Sequence, residues 1–160
     1  INKNNKPVIA MGDGIATAAG CQLISSCDLA YSSSRSKYAT PGVNIGLFCS
    51  TPMVPLSRTV GKKQAMEMLL TGDLIDANKA LRIGLINDVF EENSLKENVF
   101  QIAKKISSKS SNTIKIGKEA FYKQKDMNLE DAYTFTSKVM TENMLHDDSK
   151  EGIDLSLIHI

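Results

Sequence analysis

Histidine is scarce in this chain, cysteine is odd in number, and no apolar run is long. The 160 residues hold two histidines, His146 and His159, and three cysteines, Cys21, Cys27 and Cys49. No pair of cysteines has a Cys-x-x-Cys spacing, and both histidines stand far from them, which argues against a zinc site or any other metal site. The thiols read instead as small buried side chains in a reducing compartment. Ser25-Ser26 and Ser32-Ser33-Ser34 have no histidine near them in sequence, so a serine-hydrolase triad is excluded. No stretch approaches the ~18 apolar residues that span a membrane. No signal peptide opens the chain. The sequence begins at Ile1, without an initiator methionine, and reads as a piece of a longer protein, so a missing targeting segment says little about location. Charge of one sign is also lacking. Nineteen Lys and Arg against eighteen Asp and Glu give a net charge of +1, so no overall field points to nucleic acid or an anionic membrane. The lysines of the second half alternate with acids and read as solvated helix faces.

What is present suits one globular domain, or most of one: 42% of the residues are hydrophobic and 23% charged. The first third is rich in β-type runs, glycine and serine. Pro7 to Met11 predicts a buried strand, because it does not alternate. Asp13-Gly14 is a turn signal. Ala18 to about Cys27 predicts a helix with Leu23, Ile24 and Cys27 inward. Leu29 to Tyr31 predicts a second strand, Ser32 to Ser36 a polar turn, and Lys37 to Thr40 a third strand closed by Pro41-Gly42. Gly46 to Ser50 reads as a loop. Thr51-Pro52 then opens a helix carrying Val54 and Leu56. A further helix runs from about Lys62 to Leu70, with Ala65, Met66, Leu69 and Leu70 inward. Asp76 caps a short helix that ends at Gly84, and Leu85 to Phe90 reads as the last strand. Strand and helix in such quick succession imply tight α/β units.

From Ser94 the pattern is helical. Ser94 and Glu97 form a capping-box signature, followed by a stripe of Leu95, Val99, Ile102, Ala103 and Ile106. Helices are expected over about Thr113 to Lys123 and Leu129 to Met144. The apolar stripes fit an internal core and a subunit interface equally well. The expected organisation is an α/β core over 1–93, a helical region over 94–153 and an atypical tail over 154–160.

The most informative stretch is Gly12-Asp13-Gly14-Ile15-Ala16-Thr17-Ala18-Ala19-Gly20-Cys21-Gln22-Leu23. A strand, a glycine turn and a helix start made of tiny side chains present bare backbone N–H groups at a concave surface. Such donors stabilise negative charge on a substrate oxygen. The same small residues also allow a helix and a strand to pack closely, so both readings stand. Asp13 reads as a turn residue that satisfies local amides, and Asp28 as a structural residue at a helix-to-strand junction.

Several ordered motifs resemble the crotonase superfamily, the enoyl-CoA hydratase/isomerase family. They are Lys6-Pro7-Val8-Ile9-Ala10, Gly14-Ile15-Ala16, Gly20-Cys21-Gln22-Leu23, Cys27-Asp28-Leu29-Ala30, Leu70-Thr71-Gly72-Asp73, Ile75-Asp76-Ala77, Gly84-Leu85-Ile86 and Lys150-Glu151-Gly152-Ile153. The segments Thr40-Pro41-Gly42-Val43-Asn44, Gly46-Leu47-Phe48-Cys49-Ser50-Thr51-Pro52 and Phe121-Tyr122-Lys123-Gln124 are similar to one branch of that family. The resemblance implies an α/β fold: a crotonase-type spiral of ββα units, truncated at its N-terminus, followed by a helical C-terminal region that mediates trimer contacts. The tail from Asp154 to Ile160 departs from the family pattern, and no function is assigned to it or to His159.

The resemblance further implies an acyl-CoA thioester as substrate or ligand, with no separate cofactor, and a homotrimer or dimer of trimers. The expected compartment is the cytoplasm for a bacterial protein and the mitochondrial matrix for a eukaryotic one. The family's common task is to hold the oxygen of a thioester enolate on two backbone N–H groups. One of these falls on Ala19, within a residue of Gly20; Ala16, Ala18 and Gly20 let the thioester approach, and Asn44 and Cys49 line the acyl pocket. Typical hydratases also carry two glutamates. One sits where this chain has Gln22, the other where it has Gly42. Neither residue can shuttle a proton near neutral pH. Gln22 either orients a water or substrate, or is a helix glutamine tied to a backbone carbonyl. The resemblance thus implies either an enzyme that uses the oxyanion hole without the acid pair, or a non-catalytic acyl-CoA-binding, regulatory or oligomerising protein.

Overall fold

The computed structural model describes residues 1–158, with side chains as far as Leu155. His159 and Ile160 lie outside the described residues. The chain forms two compact units, one of residue 1 with 8–104 and one of residues 2–7 with 105–160.

The first unit is built on two small sheets between which the chain alternates. Strand β1 (Ile9–Gly12) pairs in parallel with β3 (Leu29–Ser33), which pairs in parallel with β6 (Asp88–Phe90). Strand β2 (Ile15–Thr17) pairs in parallel with β4 (Lys37–Ala39), which pairs antiparallel with β5 (Ile75–Asp76). The first two passes along the chain, β1-β2-α1 and β3-β4-α2, lay one strand in each sheet before the next helix, as expected for a spiral of ββα units, whereas α4 separates β5 from β6 in the last. Polar side chains complete the ladders where strands are short. Asp28 Oδ2 accepts the Val8 N–H at 2.7 Å, and Asn87 Oδ1 accepts the Ala30 N–H at 2.8 Å. Asp28 is thus a strand clamp, as its position suggested.

Helices α1 (Ala19–Ser26), α2 (Ser50–Thr59), α3 (Lys62–Thr71) and α4 (Ala77–Arg82) supply the main core with the two sheets. Cys21, Tyr38, Leu56, Met68 and Leu69 are buried there. Each large apolar side chain removed from water contributes about 1.5–3 kcal/mol. A second cluster joins Tyr31, Leu95 and Val99, so α5 (Glu92–Ser107) packs beside β3. Asp76 does cap α4, since its Oδ1 accepts the Lys79 N–H at 2.6 Å.

Several inward-facing expectations are corrected. Leu23, Met66 and Leu70 are exposed. On α1 Ile24 is buried as expected, together with Cys21 and Ser25. Ser25 tolerates burial because its hydroxyl donates to the Cys21 carbonyl at 2.8 Å. Ser32 to Ser36 is not simply a polar turn. Ser32 and Ser33 finish β3, and Ser32, Ser33 and Ser36 are buried. The Tyr38 hydroxyl donates to Ser32 Oγ at 2.7 Å, and Ser36 Oγ donates to the Gly12 carbonyl at 3.1 Å. The capping box also fails. Helix α5 starts two residues before Ser94, whose hydroxyl donates to the Glu91 carbonyl at 3.2 Å.

The second unit contains α6 (Ser111–Gln124), α7 (Leu129–Met144) and α8 (Asp147–Ile158). Ser110 Oγ accepts the Thr113 N–H at 3.2 Å and Asn128 Oδ1 the Asp131 N–H at 2.9 Å, so both helices begin on side-chain caps. Lys118 Nζ donates to the Lys6 carbonyl at 2.9 Å, which ties the short first segment to α6. Leu129, Tyr133 and Met140 of α7 are exposed.

Candidate functional site

The start of α1 is fixed by backbone, not by a capping side chain. Strand β2 runs beside β4 in the register Ala16 to Tyr38 and Thr17 to Ala39. The Ala18 N–H extends that ladder by donating to the Ala39 carbonyl at 3.0 Å. The Ala18 carbonyl then accepts the Gln22 N–H at 2.9 Å, which is the first turn of the helix. Held at both ends, Ala18 adopts φ 46 and ψ −109. Among the described residues it is the only non-glycine with a positive φ. That conformation stores about 1–3 kcal/mol of strain. Alanine has no oxygen with which to cap, and no acid stands in the first turn. The cap residue thus offers no side-chain partner to the leading N–H groups, Ala19 and Gly20, and Ala19 is exposed. A methyl on Gly20 would meet the Ala16 Cβ at 3.4 Å, an ordinary contact, so close packing alone does not demand glycine there.

Gln22 follows on the same helix. It is half-buried, and its carbonyl accepts the Ser26 hydroxyl at 2.7 Å. Cys21 beside it is fully buried, and burial pushes its thiol up to about 11. It therefore stays a neutral packing group at physiological pH.

The second segment follows β4. Thr40 leads into a 3₁₀ turn, Pro41–Ile45, which ends on Gly46 in the left-handed region. Sequence reasoning read no helix there, and this turn shapes the whole segment. Gly42 is half-buried, its N–H donates to Cys49 Sγ at 3.3 Å, and its carbonyl accepts the Leu47 N–H at 2.9 Å. Cys49 is buried and takes the N-cap position of α2. Asn44 is exposed, with its amide 3.0 Å from where a Cβ on Gly72 would stand, so it lies against the C-cap of α3. The structure thus joins Gly42 directly to Cys49, and Ala18 to both Ala39 and Gln22.

Two features escaped the sequence. One is the strain at Ala18, which an alanine codon conceals. The other is Thr40, whose side chain is fully buried and whose Oγ1 has no hydrogen-bond partner among the described residues. No cluster of three metal-ligating side chains occurs among the described residues. A cavity of about 290 Å³ opens beside α3, β5 and α4, near the Glu67–Lys79 ion pair of 2.8 Å. None of the sequence-predicted site residues lines it.

The profile of the family described as Enoyl-CoA hydratase/isomerase matches residues 1–156. The rat mitochondrial enoyl-CoA hydratase domain-containing protein 3 is 51% identical over 154 residues, 96% of this chain and 51% of its own. The crystal structure of the human enoyl coenzyme A hydratase domain-containing protein 3 superposes with a TM-score of 0.96 at 50% identity, covering 99% of this chain and 63% of that one. An enoyl-CoA hydratase structure from Mycobacterium smegmatis superposes with a TM-score of 0.97 at 42% identity, covering 99% and 62%. The fold is therefore of the crotonase type, as expected. The chain spans about half the length of the curated relatives it matches.

Proposed function

The chain belongs to the enoyl-CoA hydratase/isomerase family, and on that premise we propose that it holds the oxygen of an acyl-CoA thioester on the N–H of Ala19, without the acid pair that hydrates the alkene. The observation that carries this reading is the clamped, uncapped start of α1. Ala18 is bonded to Ala39 and Gln22, so the following N–H is held in a fixed direction. A preorganised donor of this kind is worth about 3–4 kcal/mol to a developing oxyanion. It needs no rearrangement when charge appears. Ala16, Ala18 and Gly20 offer no side chain beyond a methyl to obstruct the thioester, and Asn44 and Cys49 belong to the segment assigned to the acyl chain.

Hydration also requires a base to activate water and an acid to protonate carbon. Gln22 and Gly42 stand in the places of those two glutamates, and loss of even one general acid–base group costs about 10²–10⁴-fold. The reactions left open to the site are those in which the substrate carries more of its own chemistry: isomerisation, decarboxylation or thioester hydrolysis. A second reading, non-catalytic acyl-CoA binding or regulation, is favoured by one observation. Asp28, the only acid on the chain from Ile15 to Ser34, is committed to Val8.

The thioester is substrate or ligand, and no further cofactor is required. For the whole protein we propose a homotrimer or a dimer of trimers, supported by the exposed side chains of Leu129, Tyr133 and Met140, and a mitochondrial matrix location, supported by the mitochondrial relatives. No helix among the described residues is long and apolar enough to cross a membrane. The test is a panel of acyl-CoA thioesters applied to the whole protein, scored for both binding and turnover. Binding with turnover supports the enzymatic reading, and binding alone the second. No binding at all would remove both.

A further inference from the structure

We infer that the backbone of the 41–49 segment, locked by Cys49, closes position 42 to every side chain. Hydratase chemistry is then barred at this site by the shape of the loop and not by one replacement. The inference rests on the reading of position 42 as the place of the second acid.

The geometry is direct. A Cβ added to Gly42 would stand 2.5 Å from the Leu47 carbonyl oxygen, 2.9 Å from Cys49 Sγ and 3.3 Å from the Cys49 nitrogen. The first and third of these are backbone atoms, which cannot swing aside as a surface side chain can. Gly42 is not among the glycines with positive φ. Its lack of a side chain is therefore demanded by space and not by an unusual conformation.

The neighbours are held in place from several directions. The Leu47 N–H donates to the Gly42 carbonyl at 2.9 Å, and the Gly46 N–H donates to the Val43 carbonyl at 3.2 Å. The Gly42 N–H donates to Cys49 Sγ at 3.3 Å. Cys49 is 8% exposed and belongs to the main core. Its carbonyl accepts the Met53 N–H at 2.9 Å, in the first turn of α2. Room for a carboxylate at 42 would require the Leu47 carbonyl oxygen and the Cys49 sulfur to move away, which disturbs the turn that bonds Leu47 to Gly42 and the seat of Cys49 in the core. Cys49 is thus a positioning residue. Its sulfur takes the Gly42 N–H and fills the space where a side chain at 42 would start.

One consequence separates the two missing acids. Gln22 is half-buried on a regular helix, where a glutamate has the same shape and fits. Position 42 has no such freedom, so the acid pair cannot be rebuilt by two point substitutions.

The test uses Gln22→Glu, Gly42→Ala and Cys49→Ala in the whole protein. Unfolding in urea, alkylation of Cys49 followed by mass mapping, and hydrogen exchange at the Gly42 amide are measured. Gln22→Glu is expected to keep the parental urea midpoint. Gly42→Ala is expected to lower that midpoint and to speed Cys49 alkylation at least tenfold. Cys49→Ala, which removes the sulfur and inserts nothing, is expected to speed exchange at the Gly42 amide at least tenfold, and it serves if Gly42→Ala does not fold. The double variant Gln22→Glu/Gly42→Glu is expected to hydrate crotonyl-CoA no faster than the parent. A parental midpoint and alkylation rate for Gly42→Ala, unchanged Gly42 exchange in Cys49→Ala, or a gain of hydration in the double variant would each overturn the inference. The stability and exchange readouts involve no thioester, so they stand apart from any failure of the parent to bind acyl-CoA.

Discussion

The N–H of Ala18 donates to the carbonyl of Ala39 at 3.0 Å, and this bond ties the start of α1 to the end of β4. It joins the two segments that carry the candidate site. It also forces an alanine into backbone territory that favours glycine, at φ 46. The strain is therefore a consequence of where the helix must begin.

Relief of that strain is measurable. Ala18→Gly removes about 1–3 kcal/mol of strain and adds about 0.5–1 kcal/mol of backbone entropy cost. A net stabilisation of about 1 kcal/mol is expected in urea denaturation. Ala18→Val, β-branched at positive φ, is expected to lose about 2 kcal/mol or more. Equal stability of the three proteins would contradict the strain.

The buried hydroxyl network makes a coupled prediction. A methyl placed on Gly12 would meet the Tyr38 hydroxyl at 2.9 Å, and Tyr38 is fully buried and cannot retreat. Gly12→Ala is expected to destabilise by about 1–3 kcal/mol. Tyr38→Phe alone should cost about 1 kcal/mol through loss of its bond to Ser32. The double variant should be more stable than the sum of the two, because the phenylalanine ring clears the space. Additive losses in a double-mutant cycle would show that the contact carries no energy.

Thr40 offers a gain without a new contact. Its buried Oγ1 has no partner among the described residues, and a desolvated, unpaired hydroxyl costs about 1–3 kcal/mol. Thr40→Val keeps the shape and removes the oxygen. Thermal unfolding should show equal or higher stability, and a clear loss would reveal a hidden partner.

The Arg35–Asp13 pair sets a pH dependence. Both guanidinium contacts measure 2.8 Å, and hydrogen bonding to Arg35 holds the Asp13 carboxyl below its usual 3.8. A lowered folded-state value means the contribution is present above pH 3.8 and is lost as pH falls through the folded value. The pair is exposed, so the effect is small and weakens in salt. In an NMR titration, Arg35→Met should move the Asp13 midpoint up toward 3.8. An unmoved midpoint would refute the cause.

The elements legible in the sequence are those with enough length to show a period or with a turn or cap signal at one end, as Asp76 marks α4. Helices α3 and α7 fall where the apolar spacing placed them, and β1 and β3 follow non-alternating apolar runs. Strands β2 and β5 have three and two residues and no period, and they run directly into the helices α1 and α4, whereas the equally short β4 and β6 follow a polar turn and an apolar run. Leu23 faces away from the core because the buried face of α1 carries Cys21, Ile24 and a serine, Ser25, whose hydroxyl bonds its own helix. At the site, the run of small residues was visible, but the torsion of Ala18 was not. The closure of Gly42 depends on Leu47 and Cys49 folding back over it, a contact no local pattern encodes.

The central claim is that the Ala19 N–H polarises a thioester carbonyl, and the bond order of that carbonyl reports it most directly. An acyl-CoA labelled with ¹³C at the thioester carbonyl is bound to the whole protein, and its C=O stretch is compared with that in water. A shift to lower frequency on binding is the predicted result. A bound thioester whose carbonyl stretch stays where it is in water would contradict the account.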